Sequence, residues 1–133
     1  MSQAPEGKRP TVLVVDDEED LRDIMRRMLE RRGFDTLIAG DSQEAIGVCR
    51  NHPGDIDLLV TDLGLPGVSG GELSQEATVL RPGMRVVYIS GLPKDMAVAE
   101  GQIDPDAVLV KKPFSTELLI EALRSVLAER AAP

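Results

Sequence analysis

The feature that most limits what this chain can fold into is an alternation. Short apolar runs recur along it, and each is followed by a segment whose apolar residues fall three and four apart. Thr11 to Val15 (TVLVV) is apolar without a break, as expected of a strand buried on both faces. Phe34 to Ala39, Asp57 to Thr61, Arg85 to Ile89 and Ala107 to Val110 read as further strands. Between them, Leu21, Ile24, Met25, Met28 and Leu29 give a first helix its apolar face. Acidic residues open that helix, Arg26, Arg27, Arg31 and Arg32 load its far end, and Gly33 stops it. Asp41 with Glu44 forms a capping box for a helix through Arg50, and Ser69 with Glu72 a second for a helix to Leu80. Residues 93–102 form a weak helix with a poor apolar face. The last helix starts near Ser115, with Phe114 set to staple against Leu119; Leu119, Ala122, Leu123, Val126 and Leu127 line its core side.

Five strands alternating with five helices imply an α/β fold whose parallel sheet is covered on both sides. At this length the expected solution is the doubly wound (βα)5, flavodoxin-like arrangement with strand order 2-1-3-4-5. The chain's 133 residues suit one domain, expected over 11–130, behind a polar, flexible tail at 1–10. No internal repeat or low-complexity segment interrupts it.

Composition removes several function classes. No apolar run approaches a membrane span, and MSQAPEGKRP lacks the apolar stretch of a signal peptide, so a cytoplasmic protein without membrane contact is expected. The net charge of −8, from 15 basic and 23 acidic residues, repels phosphate backbones and argues against direct nucleic-acid binding. The aromatic residues are Phe34, Tyr88 and Phe114, too few to stack bases. Cys49 shares a helical face with Ala45 and Val48 and reads as a small core hydrophobe. His52 lies in a Pro/Gly loop and reads as a solvated histidine rather than a ligand or phosphate carrier.

Ligands of open α/β sheets bind outside the carboxyl ends of the strands, where the winding reverses. The first strand ends in Asp16 and Asp17, the third in Asp62, the fourth in Ser90 and the fifth in Lys112. Taken singly, each has an ordinary explanation: a helix-dipole partner, a turn residue, a solvated charge. Their coincidence at one edge does not. Three carboxylates brought together raise one another's proton affinity unless a cation sits among them. Mg²⁺ accepts hard oxygen ligands while keeping waters, and Lys112 adds a fixed positive charge. Such a site can stabilise a transferring phosphoryl group, and Asp62, central in it, is the natural nucleophile.

These residues and their surroundings (VLVVDDEE, TDLGLPGVSGGEL, VVYISG and VLVKKPF, in this order) resemble the receiver domains of bacterial two-component response regulators, from Val12 to about Leu127. The resemblance implies that Asp62 takes a phosphoryl group from a histidine kinase or histidine phosphotransfer protein. It implies that Asp17 ligates Mg²⁺ directly, with Asp16 acting through water or hydrogen bonds, and that Asp62 and the backbone carbonyl of Gly64 complete the set. Ser90 and Lys112 would each hold a phosphoryl oxygen. Lys112 is the family's lysine because it directly precedes a proline; Lys111 is then an exposed neighbour, and the Lys112–Pro113 bond is expected to be cis. The implied role is a phosphoacceptor that switches contacts with a downstream protein, as a monomer or weak dimer, not a turnover enzyme.

Three departures from the family pattern carry expectations of their own. Leu109 replaces the usual aromatic three residues before Lys112, so a different readout is expected. Gly64 leaves the acyl phosphate unshielded unless Leu92 covers it, which predicts a labile phosphoryl group. The fourth helix is short and polar, and an irregular one is expected. The short flanks favour a stand-alone receiver, with a module cut from a hybrid histidine kinase or longer regulator as the alternative. A Mg²⁺-dependent phosphohydrolase ranks lower: Gly64 stands where it needs a second acid/base carboxylate, and the chain has no spare length for a cap over substrate. A receiver never phosphorylated is disfavoured by the intact site. With no Gly-rich Lys-Ser/Thr loop, self-phosphorylation from ATP is not expected.

Overall fold

The computed structural model of the chain describes residues 9–131. Of the expected tail, residues 1–8 lie outside the described residues. Arg9 is held: it donates to the carbonyls of Glu30 and Phe34 and pairs with Asp35 at 3.1 Å.

The alternation read from the sequence is the alternation observed. In chain order come β1 (Thr11–Val15), α1 (Glu19–Arg31), β2 (Asp35–Ala39), α2 (Ser42–Asn51), β3 (Leu58–Asp62), α3 (Gly70–Leu80), β4 (Arg85–Ser90), α4 (Lys94–Ala99), β5 (Val108–Lys111) and α5 (Thr116–Ala131). The strands form one parallel sheet in the order β2-β1-β3-β4-β5. The unbroken apolar runs are explained by two cores, because successive side chains point to opposite faces. Val12 and Val14 join Leu58, Val60, Val87 and Ile89 beneath α1 and α5, with Met25, Leu29, Leu119 and Leu123. Leu13, Val15 and Leu59 face α2 and α3, with Ala45, Cys49, Leu73 and Ala77. Cys49 is thus core, as its helical spacing implied.

Element ends are shaped by local hydrogen bonds. Ser69 and Glu72 form a complete capping box. Asp41 accepts from the Glu44 amide, but the Glu44 carboxylate reaches one residue further back, to the Gly40 amide, so the second box is displaced rather than closed. Ser115 Oγ accepts from the Leu118 amide, and Phe114 packs half-buried against the core containing Leu119. β2 begins one residue later than expected because the Phe34 amide closes the end of α1 on the Leu29 carbonyl. Ile24 shares the spacing of Met25 and Met28 yet is exposed.

The largest difference is at α4, which is confined to Lys94–Ala99 rather than 93–102. Gly101 adopts a left-handed φ of 75° and ends it, as glycine does at no steric cost. Under α4 lies a small third cluster of Leu63, Tyr88, Ala97 and Ile103, with Leu109 packed against it.

Candidate functional site

The parallel register delivers the polar residues to one edge. Asp16 follows directly on β1, Asp62 and Ser90 are the last residues of β3 and β4, and Lys112 follows on β5. The Lys112 amide donates to the Ser90 carbonyl at 2.8 Å, which continues the β4–β5 pairing one step and turns the lysine towards β3. The Lys112–Pro113 bond is cis, as expected.

Asp16 is fully buried. Its amide donates to the Ala39 carbonyl at 3.3 Å, its Oδ1 accepts from the Glu18 amide at 2.8 Å, and its carbonyl accepts from Arg22 Nη1 at 2.9 Å. Asp17, one step on, is exposed. Asp62 is anchored on both oxygens: Oδ1 accepts from the Gly64 amide at 2.9 Å, and Oδ2 from Lys112 Nζ at 3.0 Å. Lys112 Nζ also lies 3.7 Å from Asp16 Oδ2. Ser90 is buried, its Oγ accepting from the Leu92 amide at 3.0 Å. The structure therefore brings together Asp16, Asp17, Asp62 and Lys112, with Ser90 ending the neighbouring strand. At Gly64 the amide donates to Asp62 Oδ1.

The electrostatics are unbalanced in a way that calls for a cation. Burial pushes the Asp16 carboxyl above its ordinary range, against the Glu18 amide and Lys112, and the charges of Asp62 and Asp17 push the same way as burial. For Lys112, burial works to lower the pKa, but the hydrogen bond and charge of Asp62, with Asp16 and Glu18, outweigh it and raise the value. Lys112 is one positive charge among three carboxylates. Asp16 Oδ2 is buried with no hydrogen-bond partner, an arrangement that costs free energy unless something is coordinated there. One oxygen from each of Asp16, Asp17 and Asp62 lies within 4.8 Å of the others. The set is all-oxygen and acidic and one of its oxygens is buried without a hydrogen bond, so these residues fit Mg²⁺.

Two contributors were not singled out from the sequence. A Cβ on Gly70 would lie 2.3 Å from the Asp62 carbonyl oxygen, so only glycine lets α3 approach the end of β3 this closely. The adjacent pair Gly70-Gly71 at a capping box was a legible signal for it. Arg22, bonded to the Asp16 carbonyl, had none beyond its place in the first helix. Elsewhere, Lys111 is exposed, His52 caps the end of α2, and Leu109 is half-buried under α4. The aromatic of this region is Tyr88 on β4, its hydroxyl 2.6 Å from Ser74 Oγ of α3.

With this geometry in view, comparison with known proteins is specific. The family model described as the response regulator receiver domain matches residues 12–124. The chain is 28% identical over 120 residues to the sensor kinase CckA of Brucella abortus, covering 90% of this chain and 13% of that protein. It is 25% identical over 116 residues to the response regulator receiver protein CpdR of the same organism, covering 87% and 95% respectively. Among solved structures, a response regulator receiver protein from Sinorhizobium medicae superposes with a TM-score of 0.80 at 29% identity, covering 92% of this chain and 98% of that one. The chain thus spans nearly all of one relative and only a small part of another.

Proposed function

The chain belongs to the response regulator receiver domain family, signalling modules of two-component systems, and from that membership we propose that it accepts a phosphoryl group on Asp62 from a phosphohistidine of a kinase or phosphotransfer protein. The observation that carries the reading is the buried Asp16 Oδ2, which makes no hydrogen bond and lies 3.7 Å from Lys112 Nζ at the edge it shares with Asp62. A carboxylate oxygen of Asp62 attacks phosphorus as the P–N bond breaks, its electron pair returning to the imidazole. Asp16, Asp17, Asp62 and the Gly64 carbonyl would hold Mg²⁺. When bound, the ion neutralises charge on the phosphoryl oxygens. Lys112, already paired with Asp62, exchanges part of that pairing for a phosphoryl oxygen. Ser90 Oγ has a free hydrogen to donate to another, since its recorded bond uses it as acceptor.

The acidic edge supports a phosphoacceptor rather than a turnover enzyme, because Gly64 offers no side chain to activate water. For the same reason the acyl phosphate would be open to solvent on that side, so hydrolysis within hours, not days, is expected. The absence of any apolar helix long enough to cross a membrane among the described residues fits a cytoplasmic module. Its output would be altered contact with a protein partner.

Intact mass after incubation with acetyl phosphate and Mg²⁺ tests the reading. A gain of one phosphoryl group is expected that requires Mg²⁺ and disappears in Asp62→Asn. No gain in the folded wild type, together with no beryllofluoride binding, would overturn it.

A further inference from the structure

We propose that Arg22 is a positioning residue for the metal-binding carboxylates, locking the turn from β1 into α1 so that Asp16 and Asp17 present a preformed pair. The inference rests on the Mg²⁺ reading of the acidic edge given above.

Apart from Arg22, few bonds hold the turn, the 3.7 Å approach of Lys112 Nζ to the buried Asp16 Oδ2 among them. The Asp16 amide makes a long 3.3 Å bond to Ala39, and the Glu18 amide bond to Asp16 Oδ1 is local to the turn itself. Asp17 is exposed, and no side-chain hydrogen bond to it is recorded among the described residues, so its direction is inherited from the backbone of Asp16. Arg22 supplies a side-chain restraint from the following helix. From the first turns of α1 its Nη1 reaches back to the Asp16 carbonyl at 2.9 Å. The guanidinium lies over Gly40, where a Cβ would be only 3.1 Å from Nη1. Glu44 completes this corner by accepting from the Gly40 amide at 2.7 Å. One planar side chain thereby bonds the end of β1 while lying against the corner between β2 and α2. Groups that orient metal ligands without touching the metal govern affinity through the order they impose.

The sign of the effect separates this role from simple electrostatics. Removing a positive charge near a cation site should tighten Mg²⁺ binding if charge alone matters. Removing a restraint on the ligands should weaken it. The two readings thus predict opposite changes for the same variant.

The experiment is Mg²⁺ titration of the full chain by calorimetry, with the thermal midpoint of each variant measured in EDTA. Arg22→Ala is expected to bind Mg²⁺ about tenfold more weakly, the lower end of what loss of such a partner costs. Its metal-free midpoint should fall by only a few degrees. Gly40→Val, which displaces the guanidinium while keeping its charge, should weaken binding in the same direction. Arg22→Lys should recover part of the affinity, and Arg27→Ala, which removes an exposed charge from the same helix, should leave it unchanged. An Arg22→Ala protein that is folded and binds Mg²⁺ as tightly as wild type, or more tightly, overturns the proposal. If that variant does not fold, wild-type affinity in folded Arg22→Lys and Gly40→Val does so. A wild-type chain that binds no Mg²⁺ removes the metal site and this inference together; a wild type that binds while its Arg22 variants bind equally removes only the inference.

Discussion

The carboxyl edge of β1 and β3 and the corner under α4 lie on the same sheet but are built on opposite principles. At the edge, polar groups are crowded together, and Asp16 Oδ2 is left buried without a hydrogen bond. Its neighbours are fixed by backbone amides and one lysine. Under α4 the polar groups are few and satisfied: Tyr88 OH meets Ser74 Oγ, which in turn donates to the Gly71 carbonyl. The apolar cluster there is small, and the helix above it spans only Lys94–Ala99. The edge concentrates unfavourable electrostatics. The corner has little burial to lose, so it is where the fold can rearrange at low cost. The corner touches the edge at three points, since Leu63 directly follows Asp62, Tyr88 sits two residues before Ser90 on β4, and Gly71 follows Gly70.

The sharpest way to break the edge is through its backbone support. Gly70→Ala would set a Cβ against the Asp62 carbonyl and Leu63 Cα, atoms that cannot swing aside. We expect a loss of about 3 kcal/mol, the upper end for overpacking, read as a lowered urea midpoint at unchanged slope. A variant as stable as wild type would show that α3 can slide away from β3. In the corner, Ile103→Ala deletes a nearly buried side chain from the small cluster. About 2 kcal/mol is expected, the low end for such truncations, because a short helix can settle into the space. A cost above about 4 kcal/mol would mean that the corner is as rigid as the main cores.

The two regions also differ in how well the sequence announced them. The gathering of Asp16, Asp17, Asp62, Ser90 and Lys112 was legible because each follows or ends an apolar run, and the parallel sheet sends every strand's carboxyl end to one edge. The strands and the long helices were legible through periodicity, with boundaries off by a residue where a local bond intervened, as at Phe34. The corner was not legible. The extent of α4 depends on Gly101 and on packing against Tyr88 and Ile103, none of which leaves a periodic trace in a helix this short. Tyr88 reads simply as a strand aromatic; only the fold brings Ser74 to its hydroxyl. The same limit hid Arg22, whose partner is a backbone carbonyl and therefore has no residue type.

Tyr88→Phe sharpens the comparison with a smaller change. It removes the hydroxyl from a buried hydrogen bond but leaves Ser74 its bond to the Gly71 carbonyl. A cost of about 1 kcal/mol is expected, the usual net worth of one such bond. Because the lost bond belongs to the corner, Mg²⁺ affinity and phosphoryl uptake should be unchanged. A several-fold fall in Mg²⁺ affinity would show that the two regions are coupled even without phosphorylation.

The smallest effect is expected where neither region is touched. Glu117, in the first turn of α5, pairs with Arg32 beyond the end of α1 at 2.8 Å. The hydrogen bond from Arg32, with Glu117's own amide and the guanidinium charge, holds this carboxyl below its ordinary value of 4.5. A carboxyl lowered in the folded state stabilises the fold above its unfolded pKa, and that contribution is lost as pH falls through the folded one. Wild type should therefore exceed Glu117→Gln slightly in thermal midpoint at pH 7, and the gap should narrow as pH falls below about 4.5. Added salt should narrow it too, since an exposed ion pair is screened. A gap that persisted in acid and in salt would mean that Glu117 acts by packing rather than by charge. The α1–α5 side would then share the rigidity of the edge instead of standing apart as an electrostatically tuned surface.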